Sequence, residues 1–189
     1  FALACILRER GQDCALFTVS PRLSADSAHY AGKARKLGIP IAPFTQGCLA
    51  GFDTVVDCLL GTGFAGELRE NYRAAIEEIN ESGAYIVSAD INSGLNADSG
   101  MCELAVKSDL TVSIGTLKSG HFLGKAKDYI GKIINVDIGI EIIDKPYRLI
   151  EASDLKGVFP KRENFSNKGT YGKVLLACGS ENMRGAAAL

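Results

Sequence analysis

The sequence predicts an α/β protein built as an open, mainly parallel, three-layer sandwich. Three observations point there. Short apolar runs without alternation recur, and such runs suit strands buried on both faces. Stretches with helical spacing of apolar residues separate several of them. Polar residues and glycines gather where those runs end, at the edge where open parallel sheets bind ligands.

In chain order, residues 1–10 carry Leu3, Ile6 and Leu7 on one helical face, and Gly11 stops that helix. Cys14–Val19 reads as a strand, and Ser20-Pro21 marks its exit, because the residue before proline disfavours the helical region. Ser24 is the expected N-cap of a helix running to Leu37, with Gly38 as its stop. Ile39-Pro40-Ile41 reads as a short strand, and its proline implies a sheet edge.

The central stretch is Asp53–Ser99. An apolar run, Val55–Leu60, is interrupted by Asp57 and ends in Gly61-Thr62-Gly63-Phe64-Ala65-Gly66. A helix follows, with Tyr72, Ala75, Ile76 and Ile79 at helical spacing, and then the strand Tyr85–Ile91 leading into Asn92-Ser93-Gly94. A glycine turn from strand to helix brings backbone N–H groups near a phosphate, or it is a tight turn whose glycines serve positive φ. Asp57 is costly inside an apolar strand unless it is paired, holds a cation, or accepts backbone hydrogen bonds. With Asp90 on the neighbouring strand and the Ser93 hydroxyl, it makes a hard-oxygen cation site plausible. Leu110–Ile114 and Lys132–Ile138 supply further strands. Between them Lys118 sits beside glycines, as a contact for phosphate or carboxylate or as a solvated loop lysine, and His121 reads as structural.

The chain has 189 residues, 47% of them hydrophobic, and a net charge of −1, which fits one domain with the start of another and argues against a nucleic-acid partner. Six cysteines without C-x-x-C spacing read as free thiols of a reducing compartment, hence a cytoplasmic protein. No apolar run approaches the roughly 20 residues that span a membrane. From Tyr147 the pattern changes: residues 147–169 read as a linker. Residues 170–189, with the strand KVLLAC and an alanine-rich helix start, open a second domain. The first domain then covers residues 1–146, and both chain ends read as cut within helices.

Several of these segments together resemble a known family. VDCLLGTGFAGELRENY, SADINSGLNADSG, LTVSIGTLKSGHFLG and INVDIGI resemble the NAD(P)HX epimerase domain of bifunctional NAD(P)H-hydrate repair enzymes. SNKGTYGKVLLACGSENMRGAAAL resembles the opening of their ADP/ATP-dependent dehydratase domain. The resemblance implies a Rossmann-like fold followed by the first strand and helix of a ribokinase-like domain. It also implies epimerisation at C6 of hydrated nicotinamide nucleotides, NADHX and NADPHX, with the whole protein dehydrating the S form using ADP or ATP. It implies potassium as cofactor, with Asp57 and Ser93 as ligands. The substrate would meet Gly61, Thr62, Gly63, Phe64, Ala65, Gly66, Glu67 and Asp90. Asp90 is the expected acid/base, with Glu67 second. Asn92 stands where the family usually has proline, and the family's N-N-G-G-D loop, whose asparagine is a further potassium ligand, would precede Phe1, so the resemblance implies that this fragment by itself is inactive. A homo-oligomer is compatible with all of this. The alternative is a non-catalytic binding or scaffold module of the same fold; an ordinary dinucleotide dehydrogenase is disfavoured by the mid-sheet position of the glycine loop.

Overall fold

The computed structural model describes residues 1–140, 148–158, 161–173, 175, 177–180 and 185. Phe1–Lys145 form one compact unit and Pro146–Leu189 another.

The first unit opens with α1 (Ala2–Glu9), β1 (Leu16–Thr18), α2 (Ala25–Lys36) and β2 (Ile41–Pro43). Ser24 caps α2 as its sequence predicts, its side chain accepting from the Ser27 N–H at 3.2 Å. The helices bury Ala4, Cys5 and Ala34 together with Ile39. The strands pair in parallel, Leu16 opposite Ile41.

The second part of the unit is β3 (Thr54–Asp57), α3 (Glu70–Glu81), β4 (Tyr85–Ala89), β5 (Ser108–Ile114), the short helix α4 (Ala126–Tyr129) and β6 (Ile130–Val136). These four strands form a fully parallel sheet in the order β3-β4-β5-β6. The six strands are therefore divided between two parallel sheets rather than joined in a continuous one. With β1 only three residues long, side chains make the junction: Phe17 packs edge-on against Phe52 at 5.8 Å, and Asn71 donates to the Val19 carbonyl at 3.0 Å.

On one face of the larger sheet, α3 buries Ile76 and Ile79 against Val55, Ile86 and Val106. Full burial of a side chain such as Ile76 stabilises by roughly 1.5–3 kcal/mol. The opposite face carries Val56, Val87, Val112 and Ile134; Val56 and Ile134 are each 39% exposed.

The connection from β4 to β5, residues 90–107, contains no helix. It dives into the interior instead, burying Ile91, Leu95, Ala97 and Ala105 with Ala126 of α4. Buried irregular backbone must find partners, and the Asn92 amide supplies several. Its two N–H bonds serve the Val106 carbonyl at 2.8 Å, the Tyr129 carbonyl at 3.0 Å and the Ser108 hydroxyl at 3.0 Å, one hydrogen being shared between two acceptors. Its oxygen accepts from Thr111 at 2.6 Å. Backbone approaches backbone closely here: a Cβ on Gly94 would lie 2.3 Å from the Leu104 carbonyl, and one on Gly120 2.3 Å from that of Asn96.

In the second unit the described residues include a 3-10 turn at Ala152–Leu155 and a polar cluster. Within it, Tyr171 accepts from the Glu163 N–H at 2.8 Å, and the Arg162 guanidinium lies over its ring. Of the strand KVLLAC expected over 173–178, the described residues Lys173, Leu175, Ala177 and Cys178 are in no strand, and the alanine-rich helix expected after it falls largely outside the described residues.

Candidate functional site

The site lies at the carboxyl edge of the four-stranded sheet, where each strand ends for a local reason. β3 stops at Asp57 because side chains, not a ladder, take the next amides. Leu59 N–H donates to Asp57 Oδ1 at 3.2 Å and Leu60 N–H to Ser93 Oγ at 2.8 Å. β4 stops at Ala89 because Asp90 has φ +68°, the one non-glycine positive φ among the described residues. Such a conformation costs about 1–3 kcal/mol and persists where its surroundings over-determine it. Both strands are shorter than the apolar runs Val55–Leu60 and Tyr85–Ile91 suggest.

Asp57 is 1% exposed and accepts four hydrogen bonds. Besides Leu59 N–H, Oδ1 takes the Ser93 hydroxyl at 2.5 Å. Oδ2 takes the Ser88 hydroxyl and the Ser93 N–H, each at 2.9 Å. Burial pushes the Asp57 carboxyl above its ordinary value, and these hydrogen bonds pull against that. Of the readings of Asp57, hydrogen bonding is the one observed: it accepts from the Leu59 and Ser93 N–H groups and from two hydroxyls, and among the described residues no cationic side chain pairs with it. Asp57, Ser93 Oγ and the Leu60 carbonyl, 3.3 Å from that hydroxyl, form a hard-oxygen donor set that fits a monovalent cation in kind. Among the described residues no three or more His, Cys, Asp or Glu side chains gather as a metal cluster.

Asp90 has a different neighbourhood from the one expected of it. Its Oδ1 accepts from the Lys118 ammonium and, at 3.0 Å, from the Ile114 N–H, so a lysine and not Asp57 meets the carboxylate. The Lys118 ammonium also donates to the Ile114 carbonyl at 3.0 Å. His121, 4% exposed, ties this corner together. Its Nδ1 accepts from the Lys118 N–H at 3.1 Å, which leaves Nε2 to donate to the Asp90 carbonyl at 2.9 Å. Burial holds the imidazole below its ordinary range, in keeping with that neutral tautomer.

The glycine turn Gly61–Gly66 is exposed apart from half-buried Phe64. Gly66 needs to be glycine, with φ +89°; Gly61 and Gly63 do not have positive φ, and a Cβ on either would meet nothing within 4 Å. The fold itself does not demand those two glycines. Phe64, Ala65, Gly66 and the exposed Glu67 line a shallow cleft of about 350 Å³ with Asn96, Ser99 and Met101. Asp57, Ser93 and Ser88 are thus gathered in one network, Asp90, Lys118 and His121 in another, and Glu67 lies on the cleft wall. Sequence reasoning misses Ser88, although a hydroxyl two residues beyond Ile86 in an apolar strand marks a polar position on the buried face.

An all-parallel α/β sheet with carboxylates, a lysine and a glycine turn at its carboxyl edge has the architecture of the Rossmann-like class. Residues 1–120 match the family described as YjeF-related protein N-terminus, and the chain belongs to that family. It is 33% identical over 97% of its length to the bifunctional NAD(P)H-hydrate repair enzyme Nnr of Coxiella burnetii, of which it spans 39%. It is 43% identical over 72% of its length to the protein of that name from Methanothermobacter thermautotrophicus, covering 26% of it. The chain thus spans well under half the length of these curated relatives. Among solved structures it is similar to yeast ynu0, YNL200c, with a TM-score of 0.60 and 18% identity over 80% of this chain and 68% of that one, a likeness of fold.

Proposed function

We propose that this chain is the epimerase portion of an NAD(P)H-hydrate repair enzyme, interconverting the R and S forms of NADHX and NADPHX at C6 of the hydrated ring. The observation that supports it most is the Asp90 corner, a carboxylate held by Lys118 and the Ile114 N–H at the carboxyl edge of the sheet in a chain of this family. Inversion at C6 requires that the bond to the departing group break and re-form on the opposite face, while a proton leaves and returns nearby. Asp90 is the group that moves that proton, and Glu67, from the cleft wall, is the second candidate. Gly61–Gly66 offers backbone N–H groups to the dinucleotide phosphates. Potassium, when bound, supplies a fixed positive charge beside the substrate; Asp57, Ser93 Oγ and the Leu60 carbonyl would hold it, with the Ser93 hydroxyl hydrogen turning away from Asp57.

The name of the relatives extends the proposal to the whole protein: dehydration of the S hydrate with ADP or ATP, by a domain that residues 170–189 would open. Six unpaired thiols suit a reducing compartment such as the cytoplasm. Among the described residues no helix is long and apolar enough to cross a membrane.

The test is R/S interconversion by the full-length protein, followed by chromatography or NMR, in potassium and in choline buffers. The Asp90→Asn variant should lose roughly 100-fold or more in rate, and unchanged interconversion by it would remove Asp90 from the chemistry.

A further inference from the structure

The sequence leaves Lys118 open between an anion contact and a solvated lysine, and His121 as structural. Their geometry gives both a task. Asp90 is held at four points. Its N–H donates to the Val112 carbonyl at 2.8 Å, its carbonyl receives His121 Nε2 at 2.9 Å, and its Oδ1 receives the Ile114 N–H at 3.0 Å together with the Lys118 ammonium. Oδ2 accepts no hydrogen bond among the described residues, although the side chain is 26% exposed.

We propose that Lys118 is a positioning residue for Asp90: it occupies Oδ1, and so leaves Oδ2 as the one carboxylate oxygen presented to substrate. This rests on the epimerase reading above. The rest of the corner makes the lysine the decisive member. The Ile114 N–H and the Val112 carbonyl belong to β5, and that strand pairs on both sides. Those two contacts fix the Asp90 backbone and steer one oxygen. A single neutral N–H does not stop the carboxylate plane from swinging about the Cβ–Cγ bond, which carries Oδ2 away from its place. A second, charged donor on the same oxygen does, because charge-assisted hydrogen bonds are shorter and roughly twice as strong as neutral ones. The lysine is steered in turn: its ammonium also donates to the Ile114 carbonyl, and its N–H is held by His121 Nδ1. The histidine thus fixes both the carbonyl of the carboxylate's residue and the backbone of the cation's residue. Lys118 has a 15% exposed side chain, so this cation is partly withdrawn from water, where exposed pairs contribute little.

The experiment uses the full-length protein and compares wild type, Lys118→Met and Lys118→Arg in R/S interconversion. Thermal unfolding and a crystal structure of Lys118→Met accompany the kinetics. The methionine keeps the apolar stem and removes the charge. The expected result is a fall in kcat of roughly 30–100-fold for methionine, the scale of misplacing a reacting group by about 1 Å. KM should stay within about threefold, the melting temperature should stay near wild type, and arginine should recover part of the rate. In the crystal, the Asp90 carboxylate should be rotated or split between two orientations. A methionine variant with wild-type kcat overturns the proposal and leaves the epimerase reading standing. If wild type itself does not interconvert the epimers, the epimerase reading falls, and the crystal structure decides the geometry alone: an Asp90 carboxylate that keeps its wild-type orientation in the Lys118→Met crystal overturns it. Should the methionine variant fail to fold, Lys118→Gln takes its place with the same criteria.

Discussion

Replacing Ser93 by alanine removes one hydroxyl from the centre of the Asp57 network, and the structure allows the cost to be worked out. That hydroxyl donates to a carboxylate that is 1% exposed, at 2.5 Å, and accepts the Leu60 N–H at 2.8 Å. A hydrogen bond to a charged group contributes about 1.5–3 kcal/mol, and an orphaned N–H in a half-buried setting adds about 1 kcal/mol more. The sum is about 3 kcal/mol. Ser88→Ala is the matched control. It removes one donor from Asp57 Oδ2, strands no backbone group, and leaves that oxygen its bond from the Ser93 N–H, so about 1.5 kcal/mol is expected. For a domain of this size 1 kcal/mol moves the melting temperature by about 2–4 °C. Ser93→Ala should therefore lower it by roughly 6–12 °C and Ser88→Ala by roughly 3–6 °C. Calorimetry in choline buffer, free of potassium, separates this from any effect on cation binding. If Ser93→Ala costs no more than Ser88→Ala, the network does not bear the weight assigned to it.

Three further outcomes follow from burial, close approach and open space. His121 is neutral in the fold and its imidazole is held below the ordinary value of 6.5, so the unfolded chain takes up its proton first as pH falls. More protons on the unfolded state means stability is lost as pH drops below about 6.5. Urea titrations from pH 7.5 to 5 should show wild type losing more stability than His121→Gln, and parallel curves would contradict this. Gly94→Ala, with its Cβ 2.3 Å from the Leu104 carbonyl at φ +94°, should cost roughly 3 kcal/mol or more. Gly61→Ala meets nothing within 4 Å and should leave stability within about 0.5 kcal/mol while raising KM for the hydrated dinucleotide roughly fivefold. A Gly61→Ala protein with unchanged KM would take the glycine turn out of the substrate wall.

Much of the fold is legible in the sequence because local rules and tertiary structure agree there. The Ser24 cap, the stop at Gly38, and the helical spacing of Ala75, Ile76 and Ile79 all act within a few residues of themselves. The division of the strands into two sheets is not legible, because it depends on whether distant segments form a ladder. Helix α4, four residues long, is too short to carry a periodic signal. In the site, Asp57 stands out because a carboxylate in an apolar strand needs a reason. The partner of Asp90 does not: Lys118 is 28 residues away, and only the register of β4 on β5 brings the two together. His121 reads as structural, and its two ring nitrogens do hold backbone, yet the backbone they hold is that of the two charged residues.

The helix-free crossover between β4 and β5 carries a consequence for how this sequence tolerates change. A helical crossover satisfies its own backbone, so many residues serve at most of its positions. Here the partners are scattered and specific: Asn92 holds the Val106 carbonyl, Asn80 holds the Ala105 carbonyl and the Lys107 N–H, and the Val106 N–H reaches back to the Ser93 carbonyl. Loops ordinarily accept insertions and substitutions more readily than the elements they join. Residues 90–107 invert that rule, so a library that varied every loop of this domain would find its least permissive positions in one of them.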